Sequence, residues 1–380
     1  MSNNQTKNVE HWVIVFNWLT LGGAERQGMY LAENLVKKGH KVTVIGFSMP
    51  GVVQDMCAEL GIACYHWPIS FGIGRLSKIL MFIRIALKLR GLKPDYIAPY
   101  DTVPNLICGL IWKYTGAKSL VWQQRDAGIF QRKGFLEKLV VKRVPAFISN
   151  SNHAATWLHL TYGIDIRRIF VIRNGIKLPE MSSDAGEKWK VRHGLTNKHR
   201  IVSMVANIHS NKDHVTLVKA WSLVLEKQKN REDLCLVLAG NKQDTWPEVD
   251  RLITELGIEK YVLAPGVVTD VHGLYAASEM VVLSSPMEGV PNCVLEGMAH
   301  AKPIVASNIP GNLETGIDHN LNQLFAPKDI GEFAERIQYF LNNVSTAMEI
   351  GQLNRSVIEN NFGMDRMVEE TTQVFYNSIS

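Results

Sequence analysis

The sequence predicts an α/β protein built of two doubly wound, parallel-sheet domains with a cleft between them. Three observations carry this. Apolar, strand-like runs alternate with helical patterns through both halves of the 380 residues. A polar stretch from Pro179 to Trp189, with Met-Ser-Ser-Asp-Ala-Gly inside it, separates the two series. Late in the second series, Glu288-Gly-Val-Pro-Asn-Cys-Val-Leu-Glu296 lies between apolar runs from Met280 to Leu283 and from Ile304 to Ala306. The order strand, loop, helix, strand sets two acids and a helix N-terminus at the carboxyl edge of a parallel sheet, where open α/β sheets bind ligands. The domains are assigned to residues 1–178 and 179–363, with a last helix at 364–380 assigned to the first domain, although its pattern would suit either.

The first series opens as a βαβ unit. Trp12 to Phe16 is a short apolar run. Gly22 and Gly23 follow, then a helical pattern through Met29, Leu31, Ala32, Leu35 and Val36, closed by Gly39. Two side-chain-free residues at a helix start let a ligand approach backbone N–H groups at the positive end of the dipole, although a tight strand-to-helix turn accounts for them equally well. Further strands are expected at Val42 to Phe47, Tyr96 to Ala98, Ser119 to Trp122, Ala146 to Ser149 and Phe170 to Ile172. The second series has strands at Ile201 to Ala206, Cys235 to Ala239 and Val262 to Leu263, helices at about Asp213 to Lys227 and Val249 to Leu256, and a loop at Pro265-Gly266.

Composition narrows the class. Apolar residues make up 46% of the chain, ample for two cores. No run approaches the ~20 apolar residues of a membrane span, and Met1 to Glu10 lacks a signal-peptide core. The five cysteines are odd in number and lack metal-site spacing. A reduced, cytoplasmic protein is expected, with no nucleic-acid partner. The net charge of +5 is uneven: Phe71 to Pro145 holds 14 Lys/Arg against 4 Asp/Glu, including Arg75, Lys78, Arg84, Lys88, Arg90, Lys93, Arg132, Lys133 and Lys138. That block reads either as a surface for anionic lipid or a phosphate-bearing acceptor, or as solvated helix faces. On a helical wheel the charges from Arg75 to Lys93 scatter without forming a stripe.

Gly22-Gly-Ala-Glu-Arg26, Asn174-Gly-Ile176, Lys212-Asp-His214, Pro265-Gly266 and the Glu-x7-Glu segment followed by Lys302-Pro-Ile-Val-Ala306 together resemble the retaining glycosyltransferases of the GT-B fold, specifically glycosyltransferase family four. The resemblance covers nearly the whole chain. It implies a nucleotide-sugar donor, with UDP favoured, and a saccharide or lipid-linked saccharide acceptor in surface polysaccharide or glycan assembly. No cofactor or metal is expected, and the chain has no Asp-x-Asp. Contact with the inner membrane face would run through the basic first domain.

The resemblance also assigns the site. Glu288 would lie by the donor sugar, Glu296 by the ribose, and Lys212 by the diphosphate; a carboxylate suits hydroxyls because it accepts two at once. Backbone around Gly289, Val290, Pro291 and Asn292 would present N–H dipoles, with Pro291 placed at the first helical position. Asn207, His209, Val267, Val268, Gly22 and Gly23 complete the donor side. Arg125 is expected to be catalytic, with Asp101, Gln124 and Asp126 on the acceptor side.

One departure stands out. The family carries an Arg shortly before the Lys, and here Asn207 or His209 stands there; neither is a bidentate guanidinium. The missing charge would come from Arg26, Arg125 or Arg173, or donor binding would be weak, or activity lost. The rival readings are a non-transferring nucleotide-sugar enzyme, such as an epimerase or hydrolase, and a nucleotide-sugar-binding protein. A dinucleotide-linked dehydrogenase finds less support, because Phe71-Gly-Ile-Gly74 lacks a third glycine and a ribose-binding acid.

Overall fold

The computed structural model describes residues 9–69, 74–126, 128, 134–180 and 184–379. The chain forms two compact units, Met1–Gly175 together with Met364–Ser380, and Ile176–Gly363. Arg132, Lys133 and the stretch 71–73 of the glycine-rich segment lie outside the described residues.

The first unit is built on seven parallel strands: β1 (His11–Phe16), β2 (Lys41–Gly46), β3 (Ala63–His66), β4 (Tyr96–Pro99), β5 (Ser119–Gln124), β6 (Ala146–Ser149) and β7 (Ile169–Val171). Their order is β3-β2-β1-β4-β5-β6-β7. Every residue of β1 is buried, as a strand covered on both faces requires. Alternate residues serve opposite faces. Trp12, Ile14 and Phe16 join a core with the helices Gly23–Lys37 and Met364–Asn377, and Val13 and Val15 join one with the helices Arg75–Leu92, Thr102–Ile111 and Phe135–Arg143. The C-terminal helix packs on the first unit, with Phe375 edge-on to Trp12 at 4.9 Å between centroids.

The second unit holds β8 (Arg200–Val205), β9 (Leu234–Ala239), β10 (Val262–Gly266), β11 (Ser278–Leu283), β12 (Ile304–Ser307) and β13 (Leu324–Phe325). They are parallel, in the order β10-β9-β8-β11-β12-β13. In each sheet the first strand of the unit sits between the strand that follows it and one that returns later. The strand order therefore reverses at β1/β4 and at β8/β11, opening a crevice beyond the carboxyl ends.

The structure corrects four sequence expectations. Pro265 and Gly266 belong to β10 and are not a loop. Part of the polar linker is helical: Ala185–Arg192 coils because Trp189 buries fully against Ile201 and Leu274. Strands β3 and β13 have no counterpart in the sequence reading. Pro291 is the N-cap of its helix, with ψ 120°, and the first helical residue is Asn292. No helix among the described residues is long and apolar enough to cross a membrane.

Candidate active site

The reversal at β8/β11 gathers the second unit's polar residues. The chain leaves β8 through Ala206–Lys212, and a 3-10 turn at Ser210–Lys212 delivers Lys212 just ahead of the helix His214–Lys227. Asp213, in the left-handed region at φ 50°, caps that helix by accepting from the Thr216 N–H. The chain leaves β11 through Ser284 to Pro291. The buried Ser284 hydroxyl lies 3.0 Å from the Lys212 carbonyl and 2.9 Å from that of Asp213, tying the two loops together.

Lys212 donates from Nζ to Glu288 Oε1 in a short ion pair. The side chains are only 21% and 13% exposed. Burial disfavours the Lys212 charge, but Glu288 outweighs it, and the ammonium is held above its ordinary pKa. The Glu288 loop rests on close backbone packing. A Cβ on Gly311 would stand 2.2 Å from the Gly289 carbonyl oxygen, so only glycine fits there. Ser307 donates to the Ser285 carbonyl, and Asn312 Nδ2 donates to the Ser307 carbonyl at 2.7 Å.

Glu296 lies one turn into the helix Asn292–Ala299 and accepts from the Tyr275 hydroxyl at 3.0 Å. His300, whose Nδ1 bonds the Glu296 carbonyl at 2.7 Å and whose Nε2 bonds His272, is pushed down to about 4, mainly by burial. Cys293 lies within reach of the charges of Lys212 and Glu288. Burial, partly opposed by Lys212 and reinforced by Glu288 and Glu296, pushes its thiol up to about 12. Tyr275, Ser284, Cys293 and Gly311 escaped sequence reasoning because each acts through a contact distant in the chain.

The structure gives the residues standing where an Arg is expected other tasks. The Asn207 side-chain oxygen accepts from the Asn241 N–H at 3.1 Å. His209 accepts at Nδ1 from the Asn211 N–H, and burial, followed by the Lys212 charge, lowers its pKa. A neutral His209 has only its other ring nitrogen to donate. Burial first, then Lys212 and His209, pushes the buried His214 down to about 3. Arg26, Arg125 and Arg173 belong to the first unit, whereas Lys212 belongs to the second. Val267 and Val268 follow the edge strand β10, separated from β8 by β9, and Val267 is 70% exposed.

In the first unit, Gly22 caps the helix Gly23–Lys37, and Glu25 folds back to accept from the Gly22 N–H at 3.2 Å. A Cβ on Gly22 would lie 2.6 Å from that carboxylate. Glu25 also hydrogen-bonds Asp101, the N-cap of Thr102–Ile111, which is held at φ 71°. Burial, then the Asp101 charge, pushes Glu25 up to about 8. Burial, then Asp126, raises Asp101 to about 6 against the pull of Arg125. Two carboxyls at this edge therefore share a proton near neutral pH. Gln124 is locked, accepting from the Trp122 indole and donating to Asp126 Oδ1 at 2.8 Å. Arg125 lies over the Tyr100 ring at 4.8 Å and donates to Gln123 and Asn174. Gln27 grips Gly175 through both its amide atoms.

The acid pair makes stability pH-dependent. An acid whose pKa rises on folding, here from 4.5 to about 8, destabilises the fold as pH climbs through that window. Between about pH 6 and about pH 8.5 the wild type should lose a few degrees of Tm more than Glu25→Gln, which keeps an acceptor for Gly22 but cannot ionise. Parallel Tm–pH curves for the two proteins would refute proton sharing.

Residues 21–179 match the sequence profile described as Glycosyltransferase Family 4, and residues 199–343 match that of Glycosyl transferases group 1. The chain belongs to this glycosyltransferase family. Among curated relatives of this family-four chain, EpsD of Bacillus subtilis (strain 168) is 29% identical over 191 residues, covering 50% of this chain and 48% of EpsD. The capsular polysaccharide biosynthesis glycosyltransferase CapM of Staphylococcus aureus is 23% identical over 205 residues, covering 54% and 53%. These alignments span about half the length of either relative. Among solved structures, Anabaena HepE in complex with UDP and glucose superposes with a TM-score of 0.84 at 18% identity, covering 97% of this chain and 100% of HepE. WaaG, a glycosyltransferase involved in lipopolysaccharide biosynthesis, gives 0.74 at 14%, covering 96% and 99%. The family-four fold is thus GT-B, with two Rossmann-like units.

Proposed function

We propose that the protein transfers a hexose or N-acetylhexosamine from a UDP-sugar to a saccharide or lipid-linked saccharide acceptor, with retention at the anomeric carbon and without a metal. Its setting is surface polysaccharide or glycan assembly at the cytoplasmic face of the membrane. The observation that carries this reading is the Lys212–Glu288 pair at the β8/β11 reversal, with Glu288 in the loop that leads into the helix bearing Glu296. The complexes of HepE with UDP and with UDP-glucose favour UDP, and the description of CapM favours polysaccharide assembly.

Breaking the bond between anomeric carbon and diphosphate oxygen builds positive charge on the sugar and negative charge on the leaving oxygen. Lys212 and the N–H groups opening the helix Asn292–Ala299 are fixed donors for that negative charge. Glu288 accepts from sugar hydroxyls. Glu296, oriented by Tyr275, accepts from the ribose. The leaving oxygen takes the proton of the incoming hydroxyl on the same face, so the new bond forms where the old one breaks and no protein nucleophile is needed. Arg125, with Asp101, Gln124 and Asp126, is assigned to the acceptor side.

The test is a thermal-shift panel of UDP-, GDP- and ADP-sugars, followed by transfer assays with EDTA and NMR of the product anomer. UDP-sugars near 100 times their Kd should stabilise by about 2.7 kcal/mol, a shift of a few degrees. A panel with no shift would overturn the donor reading. An inverted product would overturn retention, and loss of turnover in EDTA would overturn metal independence.

A further inference from the structure

The helix Arg75–Leu92 is apolar on two opposite faces. One face packs on the sheet through Ile85, Ala86 and Leu89, which are at most 8% exposed. On the other, Leu76, Ile79, Leu80, Ile83 and Leu87 are between 49% and 70% exposed. At 100° per residue these five fall within an arc of about 100°, and Leu76 to Leu87 runs about 16 Å along the axis. Two opposed apolar faces cancel, which explains why the sequence shows no simple amphipathic pattern there. Phe135, 83% exposed, and Leu136 open the helix Phe135–Arg143, which packs on the same face of the sheet beyond the helix Thr102–Ile111. Both helices start beyond carboxyl ends of strands, β3 and β5, so Leu76, Leu80 and Phe135 share one edge of the unit.

The charge around this stripe has one sign. Arg75 to Lys93 contains six Lys/Arg and no Asp/Glu. Lys78, Arg84 and Arg90 are exposed, Lys88 lies 5.0 Å over the Trp67 ring, and Lys138, Lys142 and Arg143 are exposed on the second helix. An exposed apolar patch of this size marks a docking surface. We propose that the stripe Leu76, Ile79, Leu80, Ile83 and Leu87, with Arg84 and Arg90 on its own side of the helix, seats the first unit on an anionic phospholipid bilayer. Apolar side chains enter the interface while Lys and Arg meet lipid phosphates, the arrangement of an interfacial helix. A second copy of the chain is a poor occupant, because a two-fold interface would set all-basic helices against each other. This surface deepens the lipid-linked acceptor reading and rests on it only for its purpose, since lipid binding is measured without turnover.

The test is sedimentation of the full chain with vesicles of phosphatidylcholine alone, or of phosphatidylcholine with about a third phosphatidylglycerol, at low and high salt. The wild type should partition at least about tenfold more strongly to the anionic vesicles. The combined variant Leu76→Ser, Leu80→Ser and Leu87→Ser, and separately Arg84→Glu with Arg90→Glu, should each lose about tenfold or more. Independently of those variants, an environment-sensitive dye on Leu80→Cys should shift to the blue when anionic vesicles are added. Wild-type protein that stays in the supernatant, binding unchanged in both variants, or a silent dye overturns the proposal. A wild-type dimer that the serine variant converts to monomer in the absence of lipid also overturns it, and assigns the stripe to self-association. UDP-sugar thermal shifts, read on the same proteins, report the second unit separately.

Discussion

Glu288→Ala lowers kcat for transfer by about 10³-fold, equivalent to about 4 kcal/mol of transition-state stabilisation, while the protein remains folded. The large catalytic effect follows from where the carboxylate sits. It lies within the loop between β11 and the helix Asn292–Ala299, held by Gly311 and the Ser307–Ser285 bond, so its position is fixed before any ligand arrives. The fold survives because neither residue belongs to the apolar core, although the alanine leaves the mostly buried Lys212 ammonium uncompensated and so lowers Tm. A second variant separates charge from shape. In the unliganded protein Glu288 neutralises Lys212, so an incoming diphosphate must compete for that ammonium. Glu288→Gln should therefore bind UDP more tightly than wild type while transferring far more slowly. Steady-state kinetics and UDP titration check both statements. A kcat within about threefold of wild type in the alanine variant would remove Glu288 from the chemistry.

Much of the fold is legible in the chain because buried parallel strands are apolar runs. β1, β9 and β11 each carry an apolar run, Trp12 to Phe16, Leu234 to Ala239 and Met280 to Leu283. The elements that escaped lack that signal. β3 alternates between exposed and half-buried at the sheet edge, and β13 is two residues long. Ala185–Arg192 buries only Trp189, so its composition reads as a loop. The site divides in the same way. Glu288 and Glu296 share one short segment and are visible as a pair. Lys212 reaches Glu288 from 76 residues away, and Tyr275 reaches Glu296 from 21. Only the strand order β8-β11 brings the first two together. Glu25 is visible as part of a motif, but its proton-sharing contact with Asp101 depends on β1 and β4 being neighbours. On the helix Arg75–Leu92 a wheel drawn for charge hides the outer apolar stripe, which becomes visible only once the inner face is seen to be buried.

Lys212→Ala should lower kcat/KM by about 10²-fold or more, through a raised KM for the donor as well as a lower kcat. The variant removes the one ammonium paired to Glu288 and leaves that carboxylate uncompensated where a diphosphate must approach, so repulsion adds to the lost attraction. Lys212→Arg should recover part of the activity, since it restores the charge with a different shape. His209 sharpens the test. Burial, followed by the Lys212 charge, holds its pKa below the ordinary value. Deleting Lys212 removes the second cause, so the pKa of His209 rises and its ring becomes cationic at a higher pH. Residual transfer by Lys212→Ala should accordingly increase as pH falls toward about 6, whereas the wild type, with its permanent cation, shows no such gain. The added substitution His209→Ala should flatten that profile. UDP affinity unchanged in Lys212→Ala would place the diphosphate elsewhere. A pH profile that His209→Ala leaves intact would show that the imidazole never takes up the missing charge.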